Sequence, residues 1–384
     1  MQTADILSDL IAFPTVSADP NRALIDYCAE HLNSCGAVVE VIPDATGGKA
    51  NLYATIGPQD RPGVLLSGHT DVVPVEGQAW TVLPFAMTKA DGKLFGRGTA
   101  DMKGFVASVL RTASQAGKTE LATPLHIALS YDEEIGCVGV RSMIDMLAAA
   151  PFRPRFCIVG EPTLMAVATG HKGKTGLKAT FTGREGHSAL APMALNAIHL
   201  AADMIGAIRT IQARIVASYP KDPDYDVPYT TLHVGRINGG VALNIVPNHC
   251  TFAFEIRNLA QDDPEALLQE LALAAEEILA PIRPDFPEAA IKIEVTNTYP
   301  PLDTARDAEV VSFVKSLTGA NGTNKVAFGT EGGLFDQRLG VPTVICGPGS
   351  MAQGHKPDEF ISLDQLAQCD TMLDALLDRL RTGI

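Results

Sequence analysis

No apolar run in this chain approaches the ~18–20 residues needed to cross a bilayer, so a helical membrane span is not expected. Positive charge is scarce as well: 30 Lys and Arg stand against 44 Asp and Glu, a net charge of −14. That balance disfavours a nucleic-acid partner, whose affinity would rest on a basic excess, and it tolerates a cationic small substrate. The opening stretch, MQTADILSDL, is acidic and lacks the basic n-region of a secretory signal, which places the protein in the cytoplasm as an expectation. Cysteines number seven (Cys28, Cys35, Cys137, Cys157, Cys250, Cys346, Cys369), with no C-x-x-C pair. Most lie in apolar runs and read as buried reduced thiols, not as disulfides or zinc cysteines. There is no G-x-x-x-x-G-K-[ST] phosphate loop, and Gly96-Arg97-Gly98 lacks the G-x-G-x-x-G spacing. There is no G-x-S-x-G elbow either, so a serine hydrolase is disfavoured. Internal repeats and low-complexity tracts are absent.

What is present is an ordinary globular composition, 46% hydrophobic and 19% charged. A length of 384 residues exceeds what one core sustains, so two domains are expected. Hydrophobic periodicity predicts helices over 3–12, 20–34, 104–116, 138–149, 190–214, 306–317 and 362–381, with a further helix capped by Asp263 and Pro264. Strands are predicted over 38–42, 51–56, 64–66, 125–130, 156–159, 325–328 and 343–346, most of them apolar enough to be buried on both faces. Between residues 175 and 298 the strands alternate instead, in a β-α-β-β-α-β order that reads as an inserted α+β sandwich of the split-βαβ kind. The fold class is therefore α/β with a second domain: 1–174 and 299–384 form one discontinuous domain and 175–298 the insert.

The buried strands repeatedly hand the chain a polar group as they end, where open α/β sheets place their ligand sites. His69 and Asp71 follow the first such strand and, two apart on extended chain, point the same way. Asp101 follows the Gly96–Gly98 turn, Glu133 and Glu134 follow 125–130, Glu161 follows 156–159, and His355 lies on the loop after 343–346. Two imidazoles and three carboxylates suit two zinc-class ions, each with a histidine, a terminal carboxylate and a share of a bridging one. So many acids packed together call for compensating cations. Asp71 would then orient His69 through its second nitrogen, and Glu133 would act as general base toward a water in amide or ester hydrolysis. His187, in Gly186-His187-Ser188-Ala189, is a candidate oxyanion donor. A non-catalytic metal-dependent binding protein is the alternative from another class, and it would have no need of Glu133.

These motifs resemble metallopeptidase family M20 over essentially the whole chain: S-G-H-T-D-V-V-P at 67–74, G-R-G-T-A-D-M-K-G at 96–104, D-E-E at 132–134, G-E-P-T at 160–163, G-H-S-A at 186–189 and the histidine at 355. The resemblance implies a zinc-peptidase-like catalytic domain with a central mixed sheet flanked by helices, and a ferredoxin-like lid that forms a homodimer. It implies two Zn2+ per subunit, with Co2+ or Mn2+ accepted, and a small N-acyl amino acid as substrate. Asp101 is implied as the bridging ligand, His69 and Glu161 on one ion, Glu134 and His355 on the other, Glu133 as base, and a cis peptide after Asp101. His187 would reach the partner's site, and Asn244 and Arg257 would bind the substrate's carboxylate end. The Thr330-Glu331 loop departs from the small-residue loop of some members. Glu331 is accordingly expected to face a free amine on the substrate.

Overall fold

The computed structural model describes residues 2–384 as two compact units. One comprises the chain up to His171 together with Leu302–Ile384, and the other is Lys172–Pro301. Each has its own apolar core.

The first unit is built on a nine-stranded mixed sheet. Its order runs Val38–Pro43, Ala50–Ile56, Leu125–Ser130, Val64–His69, Phe156–Pro162, Thr343–Gly347, Ala168–His171 and Leu302–Asp303, with Asn324–Val326 also on Ala168–His171. The four central strands, Leu125–Ser130 through Thr343–Gly347, are mutually parallel. All residues of these four strands are buried, as their unbroken apolar character requires. Helices pack on this sheet, among them Lys103–Ala116 and Leu363–Thr382. Gly160 shows how tight that packing is, because a Cβ there would lie 2.0 Å from the Phe105 ring. The fully buried Lys103 donates to the carbonyl oxygens of Leu10 and Phe13 and so fastens the end of the first helix, Thr3–Ile11.

The second unit is a four-stranded antiparallel sheet, ordered Thr231–Gly239, His249–Asn258, Gly173–Thr182 and Ala290–Tyr299, with helices Ala197–Ser218 and Pro264–Leu279. Alternate residues of His249–Asn258 are buried, the period-2 pattern of a sheet covered on one face. Two helices depart from expectation. The long one begins at Ala197, where the Asn196 side chain accepts from the amides of Ile198 and His199; residues 188–193 form a separate 3-10 turn containing Pro192. Gly332–Leu339 is helical although its Gly-Gly start reads as loop, and Gly340 ends it at φ +66°.

His126 sits in the sheet with its Nδ1 3.0 Å from Thr55 Oγ1 and its ring stacked on Tyr53. Burial pushes its pKa down to about 4 from an ordinary 6.5. The folded state thus refuses a proton that the unfolded chain accepts, and this contribution is complete above pH 6.5 and lost as pH falls toward 4. Chemical denaturation of His126→Gln between those pH values should show an acid loss of stability smaller than wild type by as much as about 3 kcal/mol. Parallel pH profiles for the two proteins would contradict it.

Candidate active site

The ends of the four parallel strands converge on one buried cluster. His69, the last residue of its strand, is 1% exposed. Its Nδ1 lies 2.8 Å from the carbonyl oxygen of Asp71, so that contact fixes the ring and leaves Nε2 pointing into the cluster. Nε2 stands 3.1 Å from Asp101 Oδ1 and 3.6 Å from Glu161 Oε1. His355 Nε2 in turn lies 3.1 Å from Asp101 Oδ2 and 3.0 Å from Glu134 Oε2. Asp101 therefore offers each of its two oxygens to a different histidine. It reaches this place from the turn before helix Lys103–Ala116, where Gly98 takes φ +87° and the Asp101–Met102 peptide is cis.

Asp71 differs from the sequence expectation in one respect. Its carboxylate is 3.6 Å from His69 Nδ1, beyond hydrogen-bond reach, and the orienting contact comes from its backbone. The carboxylate instead accepts from Ser17 Oγ and from the amides of Glu133 and Glu134, holding the acidic turn in place. Within that turn the acids part ways: Asp132 pairs with Lys49, Glu134 meets His355, and Glu133 Oε1 accepts from Cys137 Sγ at 3.2 Å.

The electrostatics are those of a site built for cations. Burial opposes charge on His69, yet Asp101, Asp71 and Glu161 outweigh it and hold the imidazole well above its usual range. His355 is raised to about 10 by its contacts with Asp101 and Glu134. Burial, then the charge of Asp101, pushes Glu134 up to about 7 and Glu161 well above the carboxylate range. Glu133 rises to about 8, through burial first and then the neighbouring charges of Glu134 and Glu331. Glu134 Oε1 is buried without a hydrogen bond. An orphaned carboxylate oxygen, mutually repelling carboxyls and two facing imidazoles are the donor set of a hard or borderline divalent ion. The sets His69, Asp101, Glu134 and His69, Glu133, Glu161 each bring three donor atoms within 4.8 Å of one another.

Of the other expected residues, Glu331 belongs to the first unit and His187, Asn244 and Arg257 to the second. Glu331 is 1% exposed, accepts from Ser67 Oγ and leaves Oε1 without a partner; burial raises it to about 7. In the second unit His187 and Asn244 stand side by side, through the pairing of His187 with Ile245 and the bond from the Ser188 amide to the Asn244 carbonyl, and both are exposed. The His187 Nδ1 accepts from the amide of Ala189. Arg257 donates to Glu255 and to the Tyr299 hydroxyl. All seven cysteines are free, and no helix among the described residues is long and apolar enough to span a membrane. Sequence reasoning missed the Cys137 contact on Glu133 and a buried Arg97–Glu359 pair beside Asp101. The spacing of Cys137 four residues after Glu133 was the available signal for the first.

Residues 65–379 match Peptidase family M20/M25/M40, and the chain belongs to that family, a class of hydrolases to which a carboxylate–histidine cluster of this kind is suited. Among its relatives, the acetylornithine deacetylase of Pasteurella multocida is 36% identical, over 98% of this chain and 97% of that one. The M20 family metallo-carboxypeptidase Sso-CP2 of Sulfolobus solfataricus shares the fold, with a TM-score of 0.81 at 18% identity and full coverage of both chains. The YXEP protein of Bacillus subtilis, described as a dinuclear metal binding peptidase of the M20 family, does so at a TM-score of 0.69 and 14% identity, covering 100% of this chain and 98% of that one.

Proposed function

We propose that this chain removes the acetyl group from N-acetyl-L-ornithine in the cytoplasm, as a step of arginine synthesis, using two divalent ions per subunit. The observation that carries the two-ion reading is Asp101, whose oxygens each lie 3.1 Å from a different histidine. His69 and Glu161 would hold one ion and His355 and Glu134 the other, with Asp101 available to both. Zinc fits the nitrogen and oxygen donors, and cobalt or manganese would be accepted by the same set. When bound, such ions would polarise the amide carbonyl and acidify a water toward pKa ~7.

The protein's own part is proton handling and orientation. Glu133 takes the proton of the attacking water as the oxygen adds to the acetyl carbon, then returns it to the leaving nitrogen as the C–N bond breaks. Cys137 holds Oε1, so Oε2 is the oxygen offered for that transfer. His187 is assigned to the oxyanion, and Asn244 with Arg257 to the substrate's carboxylate, for which a guanidinium is well shaped. A second copy of the chain is the proposed partner of Lys172–Pro301. That unit leaves Ile237, Val241 and Leu243 in solvent at 47%, 85% and 101% exposure, beside the unpaired edge of Thr231–Gly239.

The test of substrate is a panel of acylated amino acids with purified, metal-loaded protein. N-acetylornithine should give the highest kcat/KM; a higher value for acetylcitrulline or succinyl-diaminopimelate would move the assignment to a sibling amidohydrolase. In the same panel Glu331→Gln should lower the preference for acetylornithine over acetylmethionine by roughly tenfold, the worth of one 1.4 kcal/mol interaction. An unchanged preference would remove Glu331 from substrate recognition.

A further inference from the structure

His355 is the most exposed member of the cluster. Its side chain is 48% exposed, its backbone sits at φ +61°, and it lies on an irregular loop between strands Thr343–Gly347 and Phe360–Ser362. Something must hold this loop in register with Asp101, and a buried network does so. Glu359 Oε1 accepts from the amides of Gly98, Ala100 and Asp101 at 3.1, 2.9 and 3.1 Å, gripping the turn that carries the shared carboxylate. Glu359 Oε2 takes Arg97 Nη1 at 2.6 Å, and both residues are 1% exposed. Arg97 Nη1 also reaches the Lys356 carbonyl, and Nη2 donates to Gln78 Oε1 at 2.6 Å. Gln78 Nε2 then donates to the carbonyl oxygen of His355 at 2.9 Å. The chain's single tryptophan, Trp80, lies in the same network: its Nε1 donates to Gln78 Oε1 and the Arg97 guanidinium stands 4.9 Å from its ring centroid.

We infer that Gln78, Arg97 and Glu359 are positioning residues that lock the His355 loop to the Asp101 turn, so that loading of the His355–Glu134 ion is coupled to the surroundings of Trp80. The inference rests on the two-ion reading above and adds to it a group of residues that touch neither ion nor substrate. A buried, charge-assisted pair in low dielectric is rigid enough to carry such registration. Gln78 is only half-buried at the far end of the network, so changing it tests the linkage without opening the core.

Zinc titration of the chelator-stripped full chain, followed by calorimetry and by tryptophan fluorescence, tests it on wild type, Gln78→Ala and Gln78→Glu. Wild type should take up two ions, with the fluorescence change tracking the one whose site His355→Ala abolishes. Gln78→Ala should bind that ion ~10–100-fold more weakly, the range for partners standing behind metal ligands, and keep the other ion and its thermal midpoint. Gln78→Glu can still accept from Arg97 and Trp80 but cannot donate to the His355 carbonyl, and should fall at least as far. Wild-type affinities for both ions in the two variants, or an equal loss of both, would overturn the inference with the two-ion site intact. Fewer than two ions in wild type would instead sink the two-ion reading itself.

Discussion

Asp101→Ala should leave a protein that no longer holds two ions together, with uptake after dialysis falling from two per subunit to one or none. Turnover should drop by more than the ~10–100-fold that outer partners of metal ligands are worth. The argument is geometric. Glu134 and Glu161 are pushed up partly by the charge of Asp101, so removing that charge makes both easier to ionise. A loss of ions therefore cannot be put down to a shortage of negative charge; it follows from losing the one group that meets His69 and His355 at once. Retention of two ions at wild-type affinity would show that the pair does not share Asp101.

Glu133→Gln should separate chemistry from assembly. The side chain keeps its shape and its acceptor for Cys137, but it can no longer take a proton, and kcat should fall ~10²–10⁴-fold with KM little changed. Burial and the charges of Glu134 and Glu331 hold its pKa up at about 8, and cations bound beside it would lower that value and leave the carboxylate free to accept a proton. The metal content of the variant decides between two roles, because Glu133 also stands within 4.8 Å of the His69 and Glu161 donor atoms. Two ions with almost no turnover would identify the base; one ion would make Glu133 a ligand and leave the proton acceptor to be found elsewhere.

Much of this was legible in the residues because the buried strands of a parallel sheet announce themselves as apolar runs, and a polar group at the end of each is conspicuous. His69, Glu134, Glu161 and His355 stand out that way, each at or beyond the carboxyl end of one of the four parallel strands. Periodicity failed where local punctuation competed with it. Residues 190–196 continue the helical pattern, yet Pro192 and the capping side chain of Asn196 delay the helix. The hairpin of Thr88–Ala90 and Lys93–Phe95 was overlooked despite its Asp91-Gly92 turn, a recognised hairpin signal. Contacts between distant polar residues, such as Arg97 with Glu359 or Asp71 with Ser17, leave no period in the sequence and need coordinates to be seen.

The parallel quartet also bears on how the protein comes into being. Phe156–Pro162 and Thr343–Gly347 are hydrogen-bonded neighbours, and the whole of Lys172–Pro301 lies between them in the chain. Closing so long a loop is an entropic burden that non-local pairing must repay. The two histidines can meet only after it has closed, so during synthesis the nascent chain should acquire helices and an independently formed insert well before it can capture its cations. Refolding followed by circular dichroism and by zinc uptake should accordingly run on two clocks, the second slower.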